Sequence, residues 1–84
     1  HELIYPGAQI TMEVTDASEG DVLQLQTSDS LDKVASWYAE KLKPTKTVRV
    51  PFPVKVVVLE ADEMKAVITA KGDGTSILLK QGDD

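Results

Sequence analysis

The sequence predicts an α+β fold in which a single helix packs on one face of a mostly antiparallel sheet, in the order β-β-α-β-β-β-β. Two observations support this prediction. One segment has apolar residues at helical spacing, whereas the segments before it alternate between apolar and polar residues with a period of two and those after it are rich in the β-branched and aliphatic residues of strands. A chain of 84 residues is too short for two separate cores, so we expect one domain spanning residues 1–84.

The segments before the helix predict a pair of antiparallel strands. Residues 9–14 follow the turn-forming residues 5–7 and alternate apolar with polar side chains, which is typical of a strand with one buried face. Residues 16–21 contain Ser18 and Gly20 and predict a hairpin loop. Because residues 23–27 alternate again, we expect them to pair with the first strand.

The clearest local signal predicts a helix from about Ser30 to Lys43. We expect Asp29 to cap its N-terminus, with Asp32 three residues later as an acidic variant of the capping box. Pro44 ends the helix. The apolar stripe at helical spacing consists of Leu31, Val34, Ala35, Tyr38 and Leu42.

Four further strands are predicted after the helix, over residues 47–50, 54–60, 65–71 and 75–81. The first is followed by Pro51-Phe52-Pro53, where two missing N–H donors confine the backbone to a sheet edge or a bulge. The other three form an antiparallel meander, in which Gly72-Asp73-Gly74 supplies a tight turn.

The last three strands contain more aliphatic residues than one sheet face requires. Those assigned to the side that faces the helix are Val54, Val56, Val58, Ala66, Ile68, Ala70, Ile77 and Leu79. This assignment leaves a far-side stripe that the helix does not cover, formed by Val57, Leu59, Val67 and Leu78. The stripe is the candidate interaction site for a second copy or a neighbouring domain, and the alternative is ordinary exposed surface.

The net charge of −5 is unevenly distributed along the chain. Residues 1–32 carry seven acidic residues and no lysine or arginine, whereas residues 33–55 carry six basic residues and one acidic residue. We expect the basic middle to lie beside the acidic strands, so that the charges compensate across the fold. An acidic chain without a basic and aromatic stripe predicts no nucleic-acid partner. The absence of a long apolar run predicts no membrane insertion of this segment.

Few residues of this chain could carry catalysis. There is no cysteine, and the sole histidine is His1, which argues against thiolate chemistry, a Ser-His-Asp arrangement and a histidine metal site. Residues 72–76 lack the spacing of a phosphate-binding loop, and the acidic residues of 16–21 do not match a calcium-binding loop. We therefore predict a chain that is not an enzyme, with no catalytic residue, no metal and no cofactor.

Three aromatic residues form a candidate ligand pocket. Trp37 lies on the flank of the apolar stripe of the helix, next to Tyr38, and Phe52 is held between two prolines. A small ligand could bind between helix and sheet near these three side chains. The structural alternative makes Trp37 a lid over the edge of the core and packs Phe52 under the edge of the sheet.

Two short motifs resemble a small uncharacterised domain of bacterial secreted and lipoprotein-type proteins. They are Tyr5-Pro6-Gly7-Ala8 and the helix segment that runs from Asp29-Ser30 through Lys33-Val34 and Trp37-Tyr38 to Leu42. The resemblance covers roughly the first half of the chain. It implies an extracytoplasmic location and a helix-on-sheet fold, and it brings no known activity.

The sequence thus leads to two functional hypotheses. The first is a non-catalytic domain of a bacterial envelope or secreted protein that mediates protein association. The second is a small-ligand-binding module with its pocket between helix and sheet. Because the chain begins at His1 and not at methionine, we also expect it to be either a processed chain or an excised piece of a longer one.

Overall fold

An antiparallel sheet of six strands and one helix make up the part of the chain that the structure describes. The computed structural model describes residues 3–16 and 20–82. The predicted α+β class and element order are confirmed. The elements are β1 (Gln9–Asp16), β2 (Gly20–Thr27), α1 (Leu31–Leu42), β3 (Lys46–Val50), β4 (Val56–Ala61), β5 (Met64–Lys71) and β6 (Gly74–Gln81).

The helix begins at Ser30, which is its N-cap. The Ser30 backbone is extended, and its Oγ accepts a hydrogen bond from the Lys33 N–H at 3.3 Å. The predicted capping role of Asp29 is wrong, because the Asp29 carboxylate lies one residue outside the helix and accepts a hydrogen bond from the Tyr5 hydroxyl at 2.6 Å. At the other end, Lys43 adopts the left-handed conformation and closes the last turn.

The strands lie in the order β1-β2-β6-β5-β4-β3, with every neighbouring pair antiparallel. The predicted pairing of β1 with β2 and the predicted meander of β4, β5 and β6 are confirmed. The two parts join where β2 pairs with β6, which places the last strand of the sequence near the middle of the sheet. β1 and β3 are therefore the two edge strands.

The expected charge compensation is met at the start of the helix, where Lys33 lies 3.8 Å from the Asp29 carboxylate, but not between β3 and β1. β1 carries the acidic residues Glu13 and Asp16, and β3 carries the basic residues Lys46 and Arg49. They lie at opposite edges of the sheet. The basic residues of β3 are thus separated from the acidic residues of β1 by the full width of the sheet, because the pairing of β2 with β6 inserts the meander between them.

The core lies between α1 and one face of the sheet, which we call the inner face. α1 packs on β4, β5 and β6, and the segment 3–8 packs against the same core through Tyr5. This segment turns at Pro6-Gly7, where the Ala8 N–H donates to the Tyr5 carbonyl at 3.0 Å and Gly7 takes a φ of 84° that favours glycine. The buried core residues are Tyr5, Leu23, Leu25, Val34, Ala35, Tyr38, Val57, Leu59, Ala66, Ile68, Ile77 and Leu79.

The connection between β2 and α1 is held on β6 by two close contacts. The Thr75 hydroxyl donates to the Asp29 carbonyl at 2.7 Å, and Thr75 is buried. One residue earlier, β6 passes so close to β2 that a Cβ on Gly74 would lie 2.2 Å from the Thr27 carbonyl oxygen. Only glycine fits at this position, and the connection between β2 and α1 therefore lies close to the first residues of β6.

The predicted buried face of the first strand is wrong. Ile10, Met12 and Val14 are between 43% and 50% exposed, because β1 is an edge strand that α1 does not reach. A bulge between Ile10 and Met12 also interrupts the alternation. It places Ile10 opposite Leu25 of the core, whereas Met12 and Val14 lie opposite residues whose side chains point to the other face.

Candidate interaction surface

The direction in which each β4 side chain points, toward the helix or away from it, decides which residues are available for contact with a partner. Leu59 lies opposite Ala66, and Val57 lies opposite Ile68; directly opposite residues in an antiparallel pair point to the same face. Ala66 and Ile68 belong to the core, and accordingly Val57 is only 2% and Leu59 only 1% exposed. Assigning Val57 and Leu59 to the far-side stripe is therefore wrong. The assignment of Val56 and Val58 to the inner face is wrong for the same reason, because the observed alternation along β4 is offset by one residue from the predicted one.

The opposite side of the sheet, which we call the outer face, carries a continuous apolar row. Val67 and Leu78 lie there as predicted and are opposite each other in the pairing of β5 with β6. The register extends this row across all six strands, interrupted only by Gln24 of β2. We call it the central row, and it consists of Met12, Gln24, Leu78, Val67, Val58 and Val48.

A charged row borders the central row on one side. We call it the lysine row, and it consists of Val14, Val22, Lys80, Lys65, Glu60 and Lys46 in strand order. Lys65 and Lys80 are direct cross-strand neighbours, an arrangement that like-charge repulsion disfavours. Among the described residues, neither lysine has a carboxylate within 4 Å. This row therefore carries a net positive charge on a chain whose total charge is −5.

A neutral row borders the central row on the other side. We call it the hydroxyl row, and it consists of Gln9, Gln26, Ser76, Thr69, Val56 and Val50 in strand order. Ser76 is 9% exposed, and Thr69 and Val56 are half-buried by their neighbours in the sheet. The outer face is thus an apolar centre with one positive margin and one neutral margin.

The large apolar side chains with the greatest exposure lie on the edge strands and on the connection after β3. Phe52 is 81% exposed in this connection, so the expectation that it packs under the sheet edge is wrong. It lies just beyond the outer-face residue Val50 along the chain. The exposed set consists of Ile10, Met12, Val14, Val48, Val50, Phe52 and Val54.

Two residues of the predicted ligand pocket pack together, and they fill the space that a ligand would need. Trp37 and Tyr38 are in edge contact at 4.8 Å between ring centroids, and Tyr5 contacts Trp37 at 5.4 Å and stacks on Tyr38 at 6.3 Å. Tyr38 is fully buried, and Lys41 lies over the Trp37 ring at 5.3 Å. Trp37 is half-buried, as the structural alternative expected.

Both tyrosine hydroxyls in this cluster are committed to hydrogen bonds. Tyr38 donates to the Leu3 carbonyl at 2.7 Å, and burial raises its pKa above the usual range. The hydrogen bond to Asp29, assisted by burial and by the negative charge of that carboxylate, raises the pKa of Tyr5 to about 12. Both groups therefore remain protonated donors at neutral pH, which suits a structural role.

The described concavities lie away from Trp37, Tyr38 and Phe52. A cavity of about 20 Å³ beneath Leu3 and Leu79 has room for about one water molecule. An open groove of about 500 Å³ lies beside the turn between β5 and β6. Its lining includes Gly7, Gln26, Thr27, Lys71, Asp73 and Thr75.

Within residues 3–16 and 20–82, no group of three or more histidine, cysteine or carboxylate residues is arranged to hold a metal ion. Over the same residues, no helix has the length and apolar character needed to cross a membrane. Comparison of the chain with protein-family models, with curated proteins and with solved structures gave no match.

Proposed function

We propose that this chain is a protein-association domain that binds its partner through the outer face of the sheet. The observation that carries this proposal is the central row, which runs across all six strands with aliphatic or methionine side chains at every position except Gln24. α1 packs on the inner face and leaves this row open. A contiguous apolar patch with polar margins is typical of a contact surface.

The edges of the sheet are less suited to binding than its face. β1 is interrupted by the bulge beside Ile10, and β3 carries the exposed charges of Lys46 and Arg49 and is followed by Pro51. Bulges, charges and prolines at an edge discourage the addition of another strand. The outer face has no comparable obstacle along its central row, which favours face-to-face packing over strand addition.

The proposal includes neither catalysis nor a ligand between helix and sheet. The space near Trp37 and Tyr38 is filled by mutual aromatic packing, and the hydroxyls of Tyr5 and Tyr38 are already bonded. These contacts are those of a core that positions the segment 3–8 on α1. They support a scaffold that holds the outer face rigid.

We extend the proposal to location on the basis of the resemblance noted above, which implies a bacterial envelope or secreted protein. The helix motif behind this resemblance has clear structural roles, since Ser30 caps α1 and Val34 and Tyr38 are buried. Fractionation of the host cells tests it. Recovery of the chain from the envelope or the medium supports this location, and recovery from the cytoplasm alone refutes it.

Photo-crosslinking in the host cells tests the association itself. A benzophenone amino acid replaces Val67 at the centre of the outer face, and a matched chain carries it at Glu40, which is exposed on α1. We expect an adduct of discrete mass from position 67 only, and we expect Val58→Lys in the same chain to abolish it. Equal labelling from both positions, or no adduct from either, would refute the proposal.

A further inference from the structure

The charge pattern of the outer face distinguishes between two ways in which a second copy could stack on it. Two identical sheets that stack face to face are related by an axis lying between them, and two-fold dimers are the commonest oligomers. In a stack whose strands are roughly aligned, such an axis runs along the strands or across them. The two choices place different side chains opposite each other, and the three rows of the outer face distinguish between them.

With an axis along the strands, the β1 edge of one copy lies over the β3 edge of the other. Each row then lies over the same row of the other copy, with the order of the strands reversed. Because Lys80 and Lys65 occupy the two central strands of the lysine row, Lys80 of one copy then lies over Lys65 of the other, and the reverse. Four ammonium groups would meet at the centre of the margin. Like charges brought together in an interface repel each other, so this arrangement is disfavoured.

An axis across the strands, along the central row, exchanges the lysine row with the hydroxyl row. On the two central strands, Lys80 then lies over Ser76 of the other copy and Lys65 lies over Thr69, so each of these ammonium groups meets a hydroxyl acceptor. Toward the β3 edge, Glu60 lies over Val56 and Lys46 lies over Val50. The central row of one molecule then lies over the central row of the other, so that apolar side chains face apolar side chains. The face therefore brings its central lysines together in one orientation and keeps them apart in the other.

The size of the face is adequate for such a dimer. Six strands about 4.8 Å apart and three rows about 7 Å apart cover roughly 400 Å² of sheet plane per copy. With the relief of the side chains, two copies would bury roughly 1,200 Å² of accessible surface, which is the lower end of stable interfaces. From this area and the charge pattern, and resting on the proposed association function, we infer that the partner is a second copy of this chain, stacked about a two-fold axis along the central row.

Single cysteines test the axis, because the chain contains no natural cysteine. Val48 and Met12 lie at opposite ends of the central row, about 24 Å apart by strand spacing, and both are exposed enough to replace without disturbing the core. We expect Val48→Cys alone and Met12→Cys alone each to form covalent dimers with a short bismaleimide. A mixture of the two variants should gain little, and Ser36→Cys on the exposed side of α1 is the control.

Light scattering over a wide concentration range tests the dimer itself. The wild type should approach twice the monomer mass, and Val67→Lys should weaken the dimer about 100-fold or more, because it buries an unpaired charge at the interface. Val48→Lys serves as a second variant whose folding is not at risk, since Val48 is exposed. Circular dichroism confirms the fold of both.

The outcomes separate the two proposals. Crosslinking that occurs only in the mixture of Val48→Cys with Met12→Cys would overturn the axis. A monomer at every concentration, without crosslinks above the Ser36→Cys control, would overturn the second copy as partner. In that case a discrete adduct from position 67 in cells to a different protein would leave the association function standing, whereas no adduct would remove both.

Discussion

The two faces of the sheet are made of similar aliphatic residues, yet they differ in what covers them. Ile68 and Val67 are neighbours on β5; Ile68 is fully buried under α1, and Val67 is half-buried on the outer face. Leu59 and Val58 on β4 show the same contrast. The position of the helix, and not the residue type, therefore decides which face is core and which is available for contact.

The largest expected effect comes from truncating neighbours on the two faces. Ile68→Ala should lower the free energy of unfolding by about 2 to 4 kcal/mol, because it leaves a cavity under α1. Val67→Ala should cost less than about 1 kcal/mol at protein concentrations too low for association. Urea unfolding measures both, and equal losses would show that the outer face is as closely packed as the core.

The next effect concerns the contact that fixes the start of α1 over β6. Gly74→Ala should lower the free energy of unfolding by about 2 to 3 kcal/mol, because its Cβ would collide with the Thr27 carbonyl and push β2 and β6 apart. Gly72→Ala is the matched control in the same turn. It meets open space and bears only the strain of its φ of 48°, about 1 kcal/mol. A reversed order of the two losses would contradict the close approach at Gly74.

A smaller, pH-dependent effect tests how the segment 3–8 closes the inner face. Tyr5→Phe should lower the free energy of unfolding by about 1 to 2 kcal/mol at neutral pH, because it removes the hydrogen bond to Asp29. The pKa of Tyr5 is raised in the fold to about 12, so its contribution is complete below pH 10 and is lost as the pH rises through about 12. The difference between wild type and variant, measured by urea unfolding, should therefore shrink between these two pH values. A difference that does not change with pH would contradict the role of the hydroxyl.

The smallest expected effect is at the most exposed apolar side chain. Phe52→Ser should change the free energy of unfolding by less than about 0.5 kcal/mol, because Phe52 is 81% exposed and leaves little contact behind. Trp37→Ser, which removes the edge contacts with Tyr5 and Tyr38, is the matched aromatic replacement and should cost several times more. A large loss for Phe52→Ser would mean that this side chain packs against the fold.

Local patterns were sufficient for the elements and insufficient for their faces. The helix, the strands and the meander follow from periodicity and turn residues, and all are confirmed. The phase of β4 could not be taken from alternation, because Val56-Val57-Val58-Leu59 is apolar at every position. The turn of the β4–β5 hairpin gives the information that the alternation pattern lacks. A turn at Asp62-Glu63 pairs Leu59 with Ala66 and thereby places both on one face.

Only some residues of the candidate interaction surface could therefore be predicted from the sequence. Val67 and Leu78 lie on the outer face, but Met12 and Val48 were missed because they are distant in sequence and join the row only through strand order. The pairing of β2 with β6 depends on contacts across the whole chain and has no local signature. The helix cap was misplaced by one residue because Asp29 and Ser30 are both good capping residues, and the contact of Asp29 with Tyr5 is also long-range.

The central place of β6 has a consequence for how the sheet is assembled. Residues 21 and 81 are opposite each other in the pairing of β2 with β6, so the chain closes a loop of about 60 residues to make this contact. Contacts between residues so far apart in the sequence slow folding. We expect the β4–β5 hairpin to form early, and the β1–β2 hairpin to join it only once β6 is available. Loss of β6 would not shorten the sheet at an edge but would divide it into two pieces, β1–β2 and β5–β4–β3, and only the second would keep contacts with α1.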